Sequence, residues 1–67
     1  MADLHITPTE REILSLICDG KSVNEIATIT GRSYDTVKAH KRILMDKFDV
    51  YKDTALVAAA LRRKVID

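Results

Sequence analysis

Two helix-capping boxes stand fifteen residues apart near the start of this chain. Each is a hydroxyl residue followed three positions later by glutamate: Thr7-Pro8-Thr9-Glu10 and Ser22-Val23-Asn24-Glu25. The hydroxyl accepts from an orphan amide of the new helix, and the glutamate reaches back to the amide of the capping residue. Two helix starts this close leave room between them for one short helix and one turn. That spacing fits short helices in succession.

The remaining signals extend the pattern. Pro8 suits the first position of a helix, and Ile6 stands where a staple residue would sit. Ile13, Leu14, Leu16, Ile17 and Cys18 give the first helix its buried stripe, and Asp19-Gly20 ends it, so its span is 8–19. The second helix, 23–30, has Val23, Ile26, Ala27 and Ile29 as its apolar face and stops at Thr30-Gly31. Ser33 caps a third helix over 34–48. At about 100° per residue, Val37, Lys41, Leu44 and Phe48 share one arc, with Ile43 packing at its flank. The opposite arc carries Asp35, Lys38, Ala39, Arg42 and Asp46. A fourth helix over 54–64 is expected to be capped by Asp53, with Lys52 and Thr54 as alternative boundaries. Leu56, Val57, Ala60 and Leu61 form its stripe, and Arg62, Arg63 and Lys64 place positive charge in its last turn, as the helix dipole favours. No segment alternates as a strand would. The fold class is therefore all-α: one four-helix domain over 1–67.

A chain of 67 residues has a thin core and leans on its caps or on a partner. Its composition, 46% hydrophobic and 31% charged, is that of a globular domain and argues against disorder. Cys18 is the single cysteine, which excludes a disulfide framework and a multi-cysteine zinc site; it is expected to act as a small buried hydrophobe. No apolar run approaches the ~20 residues of a membrane span, and no cleavable leader pattern is visible, so the cytoplasm is the simplest location. His5 is expected to be exposed, and His40 to be packed or near a phosphate. Neither has a second ligand at metal spacing. No nucleophile-and-base pair and no phosphate-cradling glycine loop is present, so neither enzyme activity nor a cofactor is expected.

Net charge is only +1, but it is unevenly spread: residues 1–31 sum to −3 and residues 32–67 to +4. Solvated helix surfaces alone could produce that asymmetry. The order of elements is more telling. A short helix, the turn Thr30-Gly31-Arg32-Ser33 and a longer basic helix make the unit of helix-turn-helix proteins, whose second helix enters the major groove. Lys38 and Arg42, four residues apart, project from one face. Arginine can pair with guanine in bidentate fashion, and lysine less specifically. Ala39 between them can meet a thymine methyl or let the helix approach closely. Asp35 on the same arc could accept from cytosine, but an acid in a first turn is more simply explained by the helix dipole.

The sequence also resembles the LuxR/GerE-type DNA-binding domain of bacterial transcription regulators. The resemblance begins at Ile6-Thr7-Pro8-Thr9-Glu10-Arg11-Glu12-Ile13-Leu14. It continues through Gly20-Lys21-Ser22-Val23-Asn24-Glu25-Ile26-Ala27 and Ser33-x-x-Thr36-Val37-Lys38-x-His40, and it closes with Lys47-Phe48-Asp49-Val50. Phe48-Asp49-Val50 and the run from Ala58 to Ile66 are similar to the quorum-sensing, TraR-like branch. The resemblance implies base contacts at Lys38, Ala39 and Arg42. It also implies a phosphate contact at Thr36, with others at Lys21, Ser22, Asn24, Tyr34, Lys41 and Lys47. It implies a homodimer through the last helix at Leu56, Val57, Ala60 and Leu61, with Ala58 as a further position. A receiver or ligand-binding domain usually precedes this one in the family, though some members are the bare domain. Glu25 is expected to be structural, through the Ser22 box. Two departures stand out. Arg32 occupies a position that is often apolar in the family and is expected to turn outward to a phosphate. Asp53 stands where the family frequently has a basic residue.

The resulting expectation is sequence-specific binding of double-stranded, palindromic DNA by a homodimeric bacterial regulator, cytoplasmic and nucleoid-associated, with RNA polymerase or an antiactivator as further partners. Two alternatives stay open. One is a helical protein-interaction module on the same scaffold, which the near-neutral charge supports. The other is the promoter-binding end of a sigma factor, which the opening block and the fourth helix do not support.

Overall fold

A computed structural model describes residues 5–63. Its four helices are α1 Pro8–Cys18, α2 Val23–Thr30, α3 Tyr34–Phe48 and α4 Asp53–Arg62. Both capping boxes form. The Thr7 amide donates to Glu10 Oε1 at 2.9 Å and the Glu10 amide to Thr7 Oγ1 at 3.2 Å. The Ser22 amide donates to Glu25 Oε1 at 2.9 Å and the Glu25 amide to Ser22 Oγ at 3.2 Å. Ser33 caps α3 by accepting from the Thr36 amide at 3.1 Å.

The helix ends follow from backbone handedness. Gly20 and Gly31 take φ of 86° and 70°, where a side chain would be strained. At Gly31 this lets the Arg32 amide turn back onto the Ala27 carbonyl at 3.0 Å, which closes α2 and launches α3 in a new direction. Asp49 takes the same left-handed conformation, φ 56°, at the end of α3; aspartate is among the few side chains that tolerate it.

α3 packs against all three other helices, and α1 does the same, whereas α2 and α4 flank this pair without packing on each other. The core is Ile13, Leu14 and Ile17 from α1, Ile26 from α2, Val37, Leu44 and Phe48 from α3, and Leu56, Ala59 and Ala60 from α4. Several expectations need correction. α1 ends at Cys18, one residue early. α4 starts at Asp53, so Lys52 is its capping residue, and it ends at Arg62. Lys64 lies outside the described residues. Leu16 and Cys18 are half-buried. Ile29 is 56% exposed, because a helix as short as α2 turns only Ile26 fully inward. Ile43 is 43% exposed, because it sits about 100° around the helix from Leu44.

Candidate nucleic-acid interface

The turn at Gly31 sets α3 so that its apolar stripe meets α1, α2 and α4 and its other side faces solvent. Tyr34, Asp35, Lys38, Ala39, Arg42 and Asp46 are all exposed, as the periodicity predicts. A shallow groove runs along this side. Tyr34, Lys38, Ala39 and Arg42 line it, together with Val23 of α2 and Asp53 of α4. Among the described residues, neither Lys38 nor Arg42 has a hydrogen-bond or ion-pair partner in the chain. Two unpaired cations four residues apart, with a small residue between them, can reach into a groove and donate to base edges.

Lys21, Ser22 and Asn24 are exposed around the start of α2, and Thr36 is exposed in the first turn of α3. The Thr36 Oγ1 accepts from Ser33 Oγ at 2.8 Å and so has a fixed orientation. Glu25 is committed to the Ser22 box, as expected. The backbone hydrogen bond from Ser22, more than any other contact, holds its carboxyl below the ordinary range.

The remaining cations expected to meet phosphates are tied to acids instead. Arg32 Nη1 lies 2.9 Å from Glu12 Oε1, which fastens the turn to α1. Lys41 Nζ lies 2.7 Å from Asp53 Oδ2 and joins α3 to α4. Lys47 Nζ donates to Glu10 Oε1 at 2.7 Å and to the His5 carbonyl at 2.9 Å. Lys47 sits about 180° around α3 from Lys38, so it points away from the exposed face. Arg32 thus turns out of the core, as expected, but toward Glu12, and both Arg32 and Lys47 brace α1 within the chain. Glu10 is 5% exposed, and the hydrogen bond from Lys47, outweighing burial, holds its carboxyl below the usual range. These partners are 12 to 42 residues apart in the chain, beyond any local pattern.

On α4, Leu56 and Ala60 are fully enclosed in the chain's own core. They have no surface left to bury against a partner, which corrects their assignment to a dimer contact. The outward side of α4 is instead Thr54, Ala58 and the 51% exposed Leu61, with Val57 half-buried beside them. Cys18 is half-buried, and burial pushes its thiol up. His40 keeps its Nδ1 enclosed without a hydrogen-bond partner. Among the described residues no group of three His, Cys, Asp or Glu side chains is placed to hold a metal, and no helix is long and apolar enough to cross a membrane.

A short capped helix, a left-handed glycine turn and a longer helix with an outward basic face define a helix-turn-helix domain. Residues 4–60 match the family described as bacterial regulatory proteins, luxR family, and the chain belongs to it. It is 42% identical over 64 residues to the uncharacterized response regulatory protein YgeK of Escherichia coli K12, covering 96% of this chain and 44% of that protein. It is 39% identical over 61 residues to the transcriptional activator protein TraR of Rhizobium radiobacter, covering 91% of this chain and 26% of that one. The chain thus spans less than half the length of these relatives. In three dimensions it resembles VqmA of Vibrio cholerae. The VqmA dimer without target DNA gives a TM-score of 0.90 at 33% identity, covering 94% of this chain and 28% of that chain. The VqmA–ligand–DNA complex gives 0.87 at 32%, covering 97% and 28%. The all-α helix-turn-helix expectation and the family resemblance are both borne out. The relatives are named as regulators and activators rather than enzymes, in line with the reading of the residues.

Proposed function

We propose that this chain is the duplex-DNA-binding domain of a bacterial transcription regulator, with α3 as the helix that enters the major groove. The observation that carries this reading is the exposed face of α3, where Lys38 and Arg42 are unpaired on either side of Ala39 in a luxR-family domain. Lys38, Ala39 and Arg42 read bases. Lys21, Ser22, Asn24, Tyr34 and Thr36, all exposed, contact phosphates. The outward side of α4, through Val57, Ala58 and Leu61, pairs two copies. Two recognition helices then enter successive major grooves about 10 base pairs apart on a palindromic site. VqmA, a structural relative, is described both as a dimer and in a complex with DNA, which supports this reading. A cytoplasmic, nucleoid-associated location and contact with RNA polymerase or an antiactivator belong to the same proposal. Similarity to TraR supports the quorum-sensing branch, but YgeK, a response regulatory protein, matches at slightly higher identity, so the proposal rests on the domain and not on the branch.

Selection from a pool of random duplexes, with sequencing of the bound fraction, tests the reading. Two half-sites in inverted repeat are expected; no enriched sequence at any round overturns it. A second reading, a protein-interaction module, is favoured by the +1 net charge and the pairing of Arg32, Lys41 and Lys47 within the chain. Absence of salt-dependent binding to mixed-sequence duplex at low ionic strength selects it over the first.

A further inference from the structure

Asp53 and Lys41 form an ion pair at the edge of the proposed DNA-binding face. α4 is the one helix of the four whose start has no side-chain cap: Lys52 occupies the capping position, and the Asp53 carboxylate is turned toward α3. There Asp53 Oδ2 accepts from Lys41 Nζ at 2.7 Å. The Lys41 side chain is 23% exposed, and that of Asp53 is 57% exposed. Both line the same groove as Lys38 and Arg42. A negative charge therefore lines the groove that a polyanionic backbone would approach, and one of the groove's three cations is already engaged.

We propose that Asp53 limits the affinity of this chain for duplex DNA by holding Lys41 out of the phosphate contacts; the proposal rests on the DNA-binding reading above. A phosphate that reached Lys41 would only exchange one oxyanion for another, and it would leave the Asp53 carboxylate unpaired beside the backbone. Such an exchange has little driving force. Lys41 therefore contributes nothing to counterion release while Asp53 is present, and it acts as a positioning residue between α3 and α4. The other two pairs differ in place: Arg32–Glu12 and Lys47–Glu10 anchor to α1 and do not line the groove. Of the three paired acids, Asp53 is the one that lines the groove.

The test is a salt titration of binding to a labelled mixed-sequence duplex, followed by anisotropy. The parent chain is compared with Asp53→Asn, Lys41→Gln and the double variant. Each phosphate contact adds about 0.9 to the slope of log affinity against log salt. Asp53→Asn is expected to bind about three- to tenfold tighter at about 50 mM salt, with a slope steeper by about 0.9. Lys41→Gln should keep the parent slope, and the double variant should return to it. Should Asp53→Asn lose helix content by circular dichroism, Asp53→Ser, which removes the charge and keeps a short polar side chain at the helix start, is measured in the same way. Unchanged affinity and slope on removing the carboxylate overturn the proposal, as does a slope lowered by about 0.9 in Lys41→Gln alone. Absence of salt-dependent binding by both the parent and the Asp53 variant overturns it together with the DNA-binding reading, whereas parental binding with an inert Asp53 substitution leaves that reading standing.

Discussion

Arg42 and Lys47 are basic residues five positions apart on one helix, yet the fold gives them opposite work. About 140° of rotation separates them, which leaves Arg42 in the groove and turns Lys47 onto α1. Replacing Arg42 with alanine is expected to weaken binding to a selected cognate site by about 1–3 kcal/mol and to relax base preference at one position of each half-site. Equal affinity of variant and parent in a competition assay would remove Arg42 from the reading face. Replacing Lys47 with alanine acts on stability instead, because it strips the hydrogen bond from a nearly buried carboxylate. A loss of about 1–3 kcal/mol in urea unfolding near neutral pH is expected. The pH dependence has a definite sign. Glu10 is held ionised in the fold below its ordinary value, so the unfolded chain protonates first on acidification. The stabilisation is therefore present above the ordinary glutamate value, about 4.3, and is lost as pH falls through the lowered folded value. The gap between parent and Lys47→Ala should close over that range; a constant gap would trace the loss to packing alone. The sequence shows Glu10 as a capping residue but not as the partner of a lysine 37 positions away.

Helix starts and stops were legible because they are local. The threonine and serine boxes, the Ser33 cap and both glycine ends act within a few residues of themselves. Gly31 tests this at the scale of the element. A Cβ added there meets nothing within 4 Å, so substitution is resisted by backbone handedness alone. Gly31→Ala is expected to destabilise by about 1–2 kcal/mol, measured by thermal unfolding, with the helix content of the folded state unchanged. A neutral result would mean that the turn between α2 and α3 can relax to negative φ. The start of α4 was expected at a capping Asp53, and locally that expectation was sound. The carboxylate went to Lys41 instead, since an oppositely charged side chain from α3 competes with the helix's own amides for the same oxygen. No window along the chain contains that competitor.

At the scale of the molecule, the stripe on α4 divides into two roles. Leu56 and Ala60 face inward and complete the core, whereas Ala58 and Leu61 face outward. Leu56→Ala is expected to remove about 2–5 kcal/mol, enough to unfold much of so small a domain at room temperature, as followed by circular dichroism. Leu61→Asp should leave the helices intact and abolish cooperative occupation of two half-sites in a mobility-shift titration. Undiminished cooperativity would place the pairing surface elsewhere. From sequence alone, the four apolar residues of the stripe look alike, because periodicity identifies a hydrophobic side without saying what covers it. The chain by itself determined the number of helices, the caps of the first three, the inward residues Val37, Leu44 and Phe48, and the outward Lys38, Ala39 and Arg42. Each of these follows from contacts within one helix or one turn. Tertiary structure alone decided which cations are free for a ligand and which are bound to acids, and which side of α4 is left to solvent. Those outcomes depend on residues that meet only after the helices have packed.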